Sequence, residues 1–198
     1  MVRPPKFRLP VLVSASLLAG VGLGCSDSLL GPANNVNTVD TVTLYALSGT
    51  AISLPSAYNM VANVGNILFA LPVGTDTTSQ FDFAFDITAS GAPLIYPAGV
   101  LGLSTEPGLQ RSSRAFEDLK TAPADGYQRD SSFVMAQQDV FLARSRSTFV
   151  GCLYLGSVPR YGKFRVLGID LVARSITLET LVNLNCGFRS LEEGIPKS

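Results

Sequence analysis

The sequence contains no histidine and no tryptophan, and only 15% of its 198 residues are charged. Without histidine, the chain lacks an imidazole general base, a Ser-His-Asp triad and histidine metal ligands. The 15 basic and 15 acidic residues balance, and no basic block occurs, which argues against nucleic acid as a partner. No serine-nucleophile motif is present, and no glycine-rich phosphate loop occurs after Gly24. The sequence therefore predicts no cofactor, no metal site and no catalytic residues.

Apolar residues make up 46% of the chain, which is enough to form a packed core. The N-terminal segment, up to Gly24, looks like an export signal. Arg3, Lys6 and Arg8 give this segment a basic start, and residues 9–23 are apolar or small. This apolar stretch is shorter than the roughly 20 residues that span a bilayer, so a signal peptide is predicted over residues 1–24.

Leu23, Gly24 and Cys25 follow directly at the end of the apolar stretch. This arrangement resembles the lipobox of bacterial lipoproteins, in which a small residue precedes a cysteine that becomes the acylated N-terminus. The resemblance ends at Cys25 and does not extend into the rest of the chain. It implies lipidation of Cys25 and attachment to the cell envelope, at the outer membrane or the periplasmic face. The alternative is ordinary signal-peptidase cleavage, for which Gly22 and Gly24 supply small residues, and a secreted protein.

Residues 25–38 are small, polar and rich in turn formers, so they are predicted to form a flexible tether. Residues 39–198 are predicted to form a single β-rich domain. Two further cysteines, Cys152 and Cys186, lie 34 positions apart in this domain. In an exported protein such a pair favours a structural disulfide, because neither a CxxC spacing nor a third thiol is available for redox or metal chemistry.

Hydrophobic residues alternate with polar ones along much of the domain, which predicts an all-β fold, an antiparallel sandwich or barrel with at most one short helix. Residues 39–47 and 81–87 show the alternation clearly, and residues 163–172 and 175–185 predict a hairpin. The helix is placed within residues 112–120, inside a polar loop over 104–131. Shorter strand candidates are 51–54, 67–71, 100–103, 132–136, 140–147 and 149–155.

Charged residues on these strands provide two candidate sites. Asp82 and Asp86 share one strand face but lie about 13 Å apart along a strand, so a solvated face is favoured over a catalytic pair. Four basic residues at alternating positions could form an anion-binding patch if their strands are neighbours. The competing prediction is that nearby acids pair with them or that they protect an edge strand. The four are Arg144, Arg146, Lys163 and Arg165.

These features together predict an exported, lipid-anchored envelope protein with a binding or structural role and no enzymatic activity. Its partners would be the membrane, through the lipid anchor, and an envelope protein or an anionic ligand. The alternative function is a carboxylate-dependent hydrolase of envelope or extracellular polymers. Such an enzyme would need two acids that the fold brings together from distant strands.

Overall fold

The computed structural model describes Val2 and residues 32–152 and 155–196. Cys25 and the leader other than Val2 lie outside the described residues, so the signal-peptide and lipidation predictions stay predictions. The described residues form ten strands in two antiparallel sheets, which confirms the all-β prediction. One short 3-10 turn, Ala98–Leu101, is also present. None of the described residues belongs to a helix long and apolar enough to cross a bilayer.

The ten strands divide evenly between the two sheets. In chain order they are β1 (Val39–Tyr45), β2 (Ala57–Val64), β3 (Ile67–Val73), β4 (Phe83–Ile87), β5 (Pro93–Pro97), β6 (Gly108–Ser112), β7 (Phe133–Val134), β8 (Val140–Arg144), β9 (Tyr161–Asp170) and β10 (Ser175–Asn183). The first sheet has the order β1-β10-β9-β8-β6, and the second has the order β3-β2-β4-β5-β7. The chain crosses between the sheets after β1, β5, β6 and β7, so residues distant in sequence meet in the core.

Aromatic side chains from both sheets fill the space between them. Phe141 and Phe164 of the first sheet stack with their ring centroids 5.0 Å apart. Phe83 of the second sheet meets both rings edge-on, at 5.6 Å and 5.1 Å. Edge-to-face contacts of this kind stabilise a core beyond the area that they bury. The phenylalanines on alternate positions of β4 therefore join the sheets, as a sandwich requires.

The predicted hairpin of residues 163–172 and 175–185 is confirmed as β9 and β10, which pair along their whole length. Strand β10 is buried on both faces, however. Ile176 and Leu178 pack into the core between the sheets, whereas Leu181 packs into a separate cluster on the outer face. A third layer must therefore cover the first sheet from outside.

The part of the predicted polar loop that follows β6, residues 113–131, provides this layer and is called the covering segment below. Phe116, Leu119 and Ala122 are buried against Leu142 and Tyr161 on the outer face of the first sheet. The helix predicted within residues 112–120 is wrong, because this segment forms turns instead. Its backbone carbonyls are used to bind a side chain of the sheet, as described below, and an internal helix would have occupied them.

Several short strand predictions are also wrong. Residues 100–103 belong to the 3-10 turn and the bend that follows it, and residues 51–54 form turns. The described part of residues 149–155 contains no strand. Strands β2, β5 and β6, on the other hand, were not predicted. Strand β2 is buried at five consecutive positions, Ala57 to Val61, so it lacks the alternation that marks a half-exposed strand.

The body of the protein begins before β1. The backbone N–H groups of Asn34 and Asn35 both donate to the side-chain oxygen of Asn185, each over 2.8 Å. Asn37 is buried, and its backbone exchanges two hydrogen bonds with Gly194. The tether predicted over residues 25–38 is therefore shorter at its C-terminal end, because residues 34–38 are fixed to the body.

Candidate functional site

The predicted disulfide between Cys152 and Cys186 is present, with the Cα atoms 5.3 Å apart. It connects the loop after β8 to the segment that follows β10. The alternation of apolar residues along β10 places Cys186 near the end of the longest hairpin. Cys152 lies in an irregular loop, so periodicity could not show which part of the fold this loop contacts. The crosslink thus fixes the β8–β9 connection to the hairpin.

Three of the four basic residues predicted to form an anion patch share the outer face of the first sheet. Strands β8 and β9 are neighbours, with Arg144 opposite Tyr161 and Leu142 opposite Lys163. Arg165 lies one row further along, opposite Val140. The alternation of side chains along a strand therefore puts Arg144, Lys163 and Arg165 on the same side. The covering segment and nearby acids then separate them.

Lys163 is buried beneath the covering segment, with only 5% of its surface exposed. Its ammonium group donates to the carbonyl oxygens of Phe116, at 2.9 Å, and Leu119, at 3.2 Å, and lies 4.3 Å from the centre of the Phe116 ring. Burial lowers the pKa of Lys163. Because all of these contacts lie within the protein, Lys163 holds the covering segment on the sheet.

Arg165 is bound by two carboxylates. Its guanidinium lies 2.7 Å from Glu117 and 2.5 Å from Glu179, and Glu179 is its direct neighbour on β10. Both acids belong to the surface on which an anionic ligand would have to approach. The charge of Arg165 is therefore paired within the protein. This agrees with the competing prediction that nearby acids pair with the basic residues.

Arg146 points away from the other three and binds Asp82. Its guanidinium lies 3.3 Å from the Asp82 carboxylate, which also accepts hydrogen bonds from the backbone N–H groups of Arg146 and Met60, at 2.9 Å and 2.6 Å. Asp82 is only 1% exposed, so the prediction that it lies on a solvated strand face is wrong. Burial raises the pKa of Asp82, against the opposing effect of Arg146.

Arg144 lines a cleft that contains none of the other three members of the predicted patch. The cleft has a volume of about 300 Å³, and Arg144 and Arg129 lie in its wall together with two tyrosines, Tyr127 and Tyr161. Asp125 is the acid in this wall. A second cleft of about 420 Å³ adjoins it and also contains Tyr127 and Arg129. Arg129 therefore separates two concave surfaces.

The geometry of the cleft depends on a short strand-like contact at the edge of β6. Leu109 and Gln128 exchange two backbone hydrogen bonds, of 2.8 Å and 2.7 Å. Tyr127 and Arg129 flank Gln128, and both lie over Gly108. A Cβ atom at position 108 would come within 2.8 Å of the Tyr127 Cβ and 3.1 Å of the Gln128 carbonyl oxygen. Only glycine allows this close approach without a shift of the segment.

The charges around this cleft are only partly balanced. One guanidinium N–H group of Arg144 donates to the Glu106 carbonyl oxygen over 3.0 Å. Within the part of the chain that the structure describes, the Arg129 side chain has no hydrogen bond or ion pair. The Glu106 carboxylate accepts a hydrogen bond from the Ser147 backbone N–H, which lowers the pKa of Glu106. Burial raises the pKa of Tyr127, so its phenol stays neutral and adds no negative charge to the cleft.

A separate pocket of about 420 Å³ contains the two glutamates that bind Arg165 and two further glutamates. Four glutamates line it, with Lys120 and Lys163 beside them: Glu117, Glu179, Glu192 and Glu193. A hydrogen bond to its own backbone N–H and the contact with Arg165 lower the pKa of Glu117. Paired glycosidase carboxylates require one protonated acid, whereas the contact with Arg165 favours the ionised form of Glu117.

Arg129 was missed at the sequence level because it lies in the least patterned part of the chain. Nothing in the spacing of residues 104–131 shows that Gln128 pairs with β6 or that Gly108 admits the segment above it. Among the described residues, no group of three or more cysteine, aspartate or glutamate side chains is arranged to hold a metal ion. No family model, curated protein or solved structure matches the chain.

Proposed function

We propose that this protein is an exported, lipid-anchored component of the bacterial cell envelope that binds an anionic group through Arg129 and Arg144. The observation that carries the binding proposal is the cleft whose wall contains both arginines, of which Arg129 has no internal partner among the described residues. Planar guanidinium groups suit carboxylate, phosphate and sulfate oxygens because they donate paired hydrogen bonds. The rings of Tyr127 and Tyr161 add apolar walls to the cleft, and their hydroxyl groups add polar tips.

The envelope location rests on different observations. The segment that ends at Cys25 resembles a lipoprotein leader, and the disulfide of the folded body suits an oxidising compartment outside the cytoplasm. A diacylated Cys25 would supply the two acyl chains that stable membrane attachment needs. The segment between Cys25 and Asn34 would then separate the membrane from the first backbone contacts of the body.

The anion site can be tested by titration of the ¹⁵N-labelled protein with sodium sulfate at constant ionic strength. Chemical-shift changes are expected at Tyr127 and Arg129. The dissociation constant should rise roughly tenfold in Arg129→Ala and in Arg144→Ala, since each removes charge-assisted hydrogen bonds. Lys120→Ala, which removes an exposed charge outside the cleft, is the matched control and should bind like the wild type. Equal weakening in all three variants, or none in any of them, contradicts the proposal.

The source of the anion can be separated in a second experiment. Both proteins are prepared without the lipid anchor. If the ligand is a lipid headgroup, vesicles of anionic phospholipid should retain the wild-type protein more strongly than the Arg129→Ala variant. If retention is equal but the sulfate titration still distinguishes the two proteins, the ligand is a soluble anion or an anionic polymer.

The anchor can be tested by labelling cells with radioactive palmitate. The label should enter the wild type, be lost in Cys25→Ala and persist in Cys186→Ala, which removes a cysteine that no lipobox precedes. Processing should also be blocked by globomycin. A protein that takes up no palmitate and is recovered free of the membrane contradicts the anchor and favours the secreted alternative.

The hydrolase alternative stays a prediction, and the glutamate-lined pocket is where it would have to act. It requires that Glu117→Gln or Glu179→Gln abolish the hydrolysis of an envelope polymer. The binding proposal has more support, because the pocket holds its carboxylates as partners of Arg165.

A further inference from the structure

Arg160 is a buried cation that lies directly against the disulfide. Its side chain has no exposed surface. The guanidinium group donates to three carbonyl oxygens, those of Leu184 at 2.9 Å, Val158 at 3.1 Å and Val150 at 2.7 Å. Its fourth contact is the Sγ atom of Cys152, 3.3 Å from Nη2. Arg160 thus binds neutral oxygens and one sulfur of the crosslink.

Arg160 has no acidic partner within the described residues. Burial lowers the pKa of Arg160 to about 10, so the group is still a cation at neutral pH. A buried charge without a counter-ion is costly, and the three carbonyl dipoles compensate it only in part. An anion formed at Cys152 Sγ would be stabilised at once. The Thr148 carbonyl oxygen, 3.7 Å from the same sulfur, is the other polar contact of this atom.

We infer that Arg160 makes the Cys152–Cys186 disulfide chemically asymmetric, so that Cys152 is the leaving thiolate when a small external thiol opens the bond. Cationic neighbours stabilise thiolates, and the better-stabilised thiolate leaves faster in exchange. The external thiolate attacks Cys186 Sγ. A new S–S bond forms between them, the Cys152–Cys186 bond breaks, and its electron pair stays on Cys152 opposite the Arg160 guanidinium.

No proton is transferred in this step, because one thiolate is consumed and one is released. A second external thiolate then attacks the sulfur of the first, so that a bond forms between the two external sulfurs and Cys186 leaves as a thiolate. This leaves a free Cys186 thiol and an oxidised external disulfide, so the external thiol is the reductant. Both cysteines are only partly buried, and the inference requires that the reagent reach Cys186 Sγ. In the reduced protein, Cys152 becomes the more reactive thiol and the site at which oxidants or electrophiles modify the chain.

The direction of opening can be measured on the oxidised wild-type protein. It is treated briefly with limiting glutathione, blocked with N-ethylmaleimide and digested with trypsin. Cleavage after Arg146 and Arg160 isolates Cys152, and cleavage after Arg174 and Arg189 isolates Cys186. Glutathione is expected on the Cys186 peptide and maleimide on the Cys152 peptide, in roughly tenfold excess over the reverse pattern. An even distribution, or glutathione mainly on Cys152, overturns the inference.

A second measurement separates the effect of charge from that of access. In the reduced protein, the rate of alkylation by iodoacetamide is followed against pH for each peptide. The midpoint for Cys152 should lie at least one pH unit below that for Cys186, and both should move to about 8.5 in urea. Midpoints that coincide in the folded protein contradict the role of Arg160, whatever the absolute rates.

A substitution tests the residue itself. Arg160→Lys keeps the charge and should preserve the asymmetry in part, whereas Arg160→Gln removes the charge and should abolish it. If Arg160→Gln does not fold, the pH midpoints of the wild type still decide between the two outcomes. Lys163→Gln, which removes another buried cation whose ammonium group binds the Phe116 and Leu119 carbonyl oxygens, should leave the bias unchanged.

Discussion

The buried charges named above are compensated in two ways. Asp82 is paired with Arg146 and with two backbone N–H groups, whereas Lys163 and Arg160 use backbone carbonyl oxygens. The alternation of residues 81–87 correctly predicted that Phe83, Phe85 and Ile87 pack together in the core. The alternation could not show that Asp82 is also buried. Its burial depends on Arg146, which pairs with Asp82 and follows β8 in the other sheet.

The Asp82 contacts give a prediction for stability. Asp82→Ala leaves the Arg146 guanidinium and two buried N–H groups without their acceptor, so we expect a loss of about 3–5 kcal/mol in the free energy of unfolding. Asp40→Ala, at an exposed position of β1, should change it by less than about 0.5 kcal/mol. Urea denaturation at pH 7 measures both. A cost for Asp82→Ala below that of the control contradicts the importance of this ion pair.

Glu106 gives a prediction for pH. Its pKa is lowered in the folded protein, mainly by the hydrogen bond from Ser147, so its contribution to stability is present above the unfolded pKa, about 4.3, and is lost as the pH falls through the folded value. Glu106→Gln should therefore reduce stability slightly at pH 7, by under about 1 kcal/mol because the group is exposed, and not at all near pH 2. The same variant should bind sulfate roughly twofold more tightly at pH 7. Weaker sulfate binding would contradict the position of Glu106 beside the arginines.

At the scale of elements, strands whose sequence alternates were predictable and the others were not. Strand β1 and the β9–β10 hairpin alternate clearly and were found. Strand β2 lacks alternation because both of its faces are covered from Ala57 to Val61, and β6 is short and contains Gly108 and Arg111. The covering segment was predicted as a loop correctly, but its buried Phe116 and Leu119 depend on contacts with a sheet that is distant in sequence.

Gly108 tests how the covering segment is positioned. We expect Gly108→Ala to push Tyr127 and Arg129 away from β6, at a cost of about 1–3 kcal/mol in stability. Sulfate binding should weaken as well, because Arg129 moves with the segment. Gly168→Ala is the matched control: it lies in β9 with no atom within 4 Å of the added Cβ. If both variants behave alike in urea denaturation and in the sulfate titration, Gly108 does not set the shape of the cleft.

At the scale of the whole molecule, the disulfide and the two-sheet core act together. The pairing of Cys152 with Cys186 was predictable from the cysteine count and the expected compartment. The cleft was not, because it forms where the end of β8, the edge of β6 and an irregular segment meet. Of the four basic residues singled out by alternation, Arg144 alone reaches this place, since Arg146, Lys163 and Arg165 are bound by internal groups.

The crosslink should contribute substantially to stability. Replacing Cys152 and Cys186 together by alanine opens a 34-residue loop, for which chain entropy predicts a loss of about 3–4 kcal/mol in the free energy of unfolding. Cys25→Ser, which removes a cysteine outside the disulfide, is the control and should leave the free energy of unfolding unchanged. Guanidinium denaturation of the three proteins measures the difference, and equal midpoints would show that the disulfide has no stabilising role.

The intact mass of the mature protein under non-reducing conditions tests the central claim most directly. The chain would be expressed with its own leader in a Gram-negative host and extracted with detergent. We expect an N-terminus at Cys25, the added mass of acyl chains on that residue, and two hydrogens fewer than the dithiol form. A detergent-independent protein that begins at another residue, or one with Cys152 and Cys186 both reduced, contradicts the account.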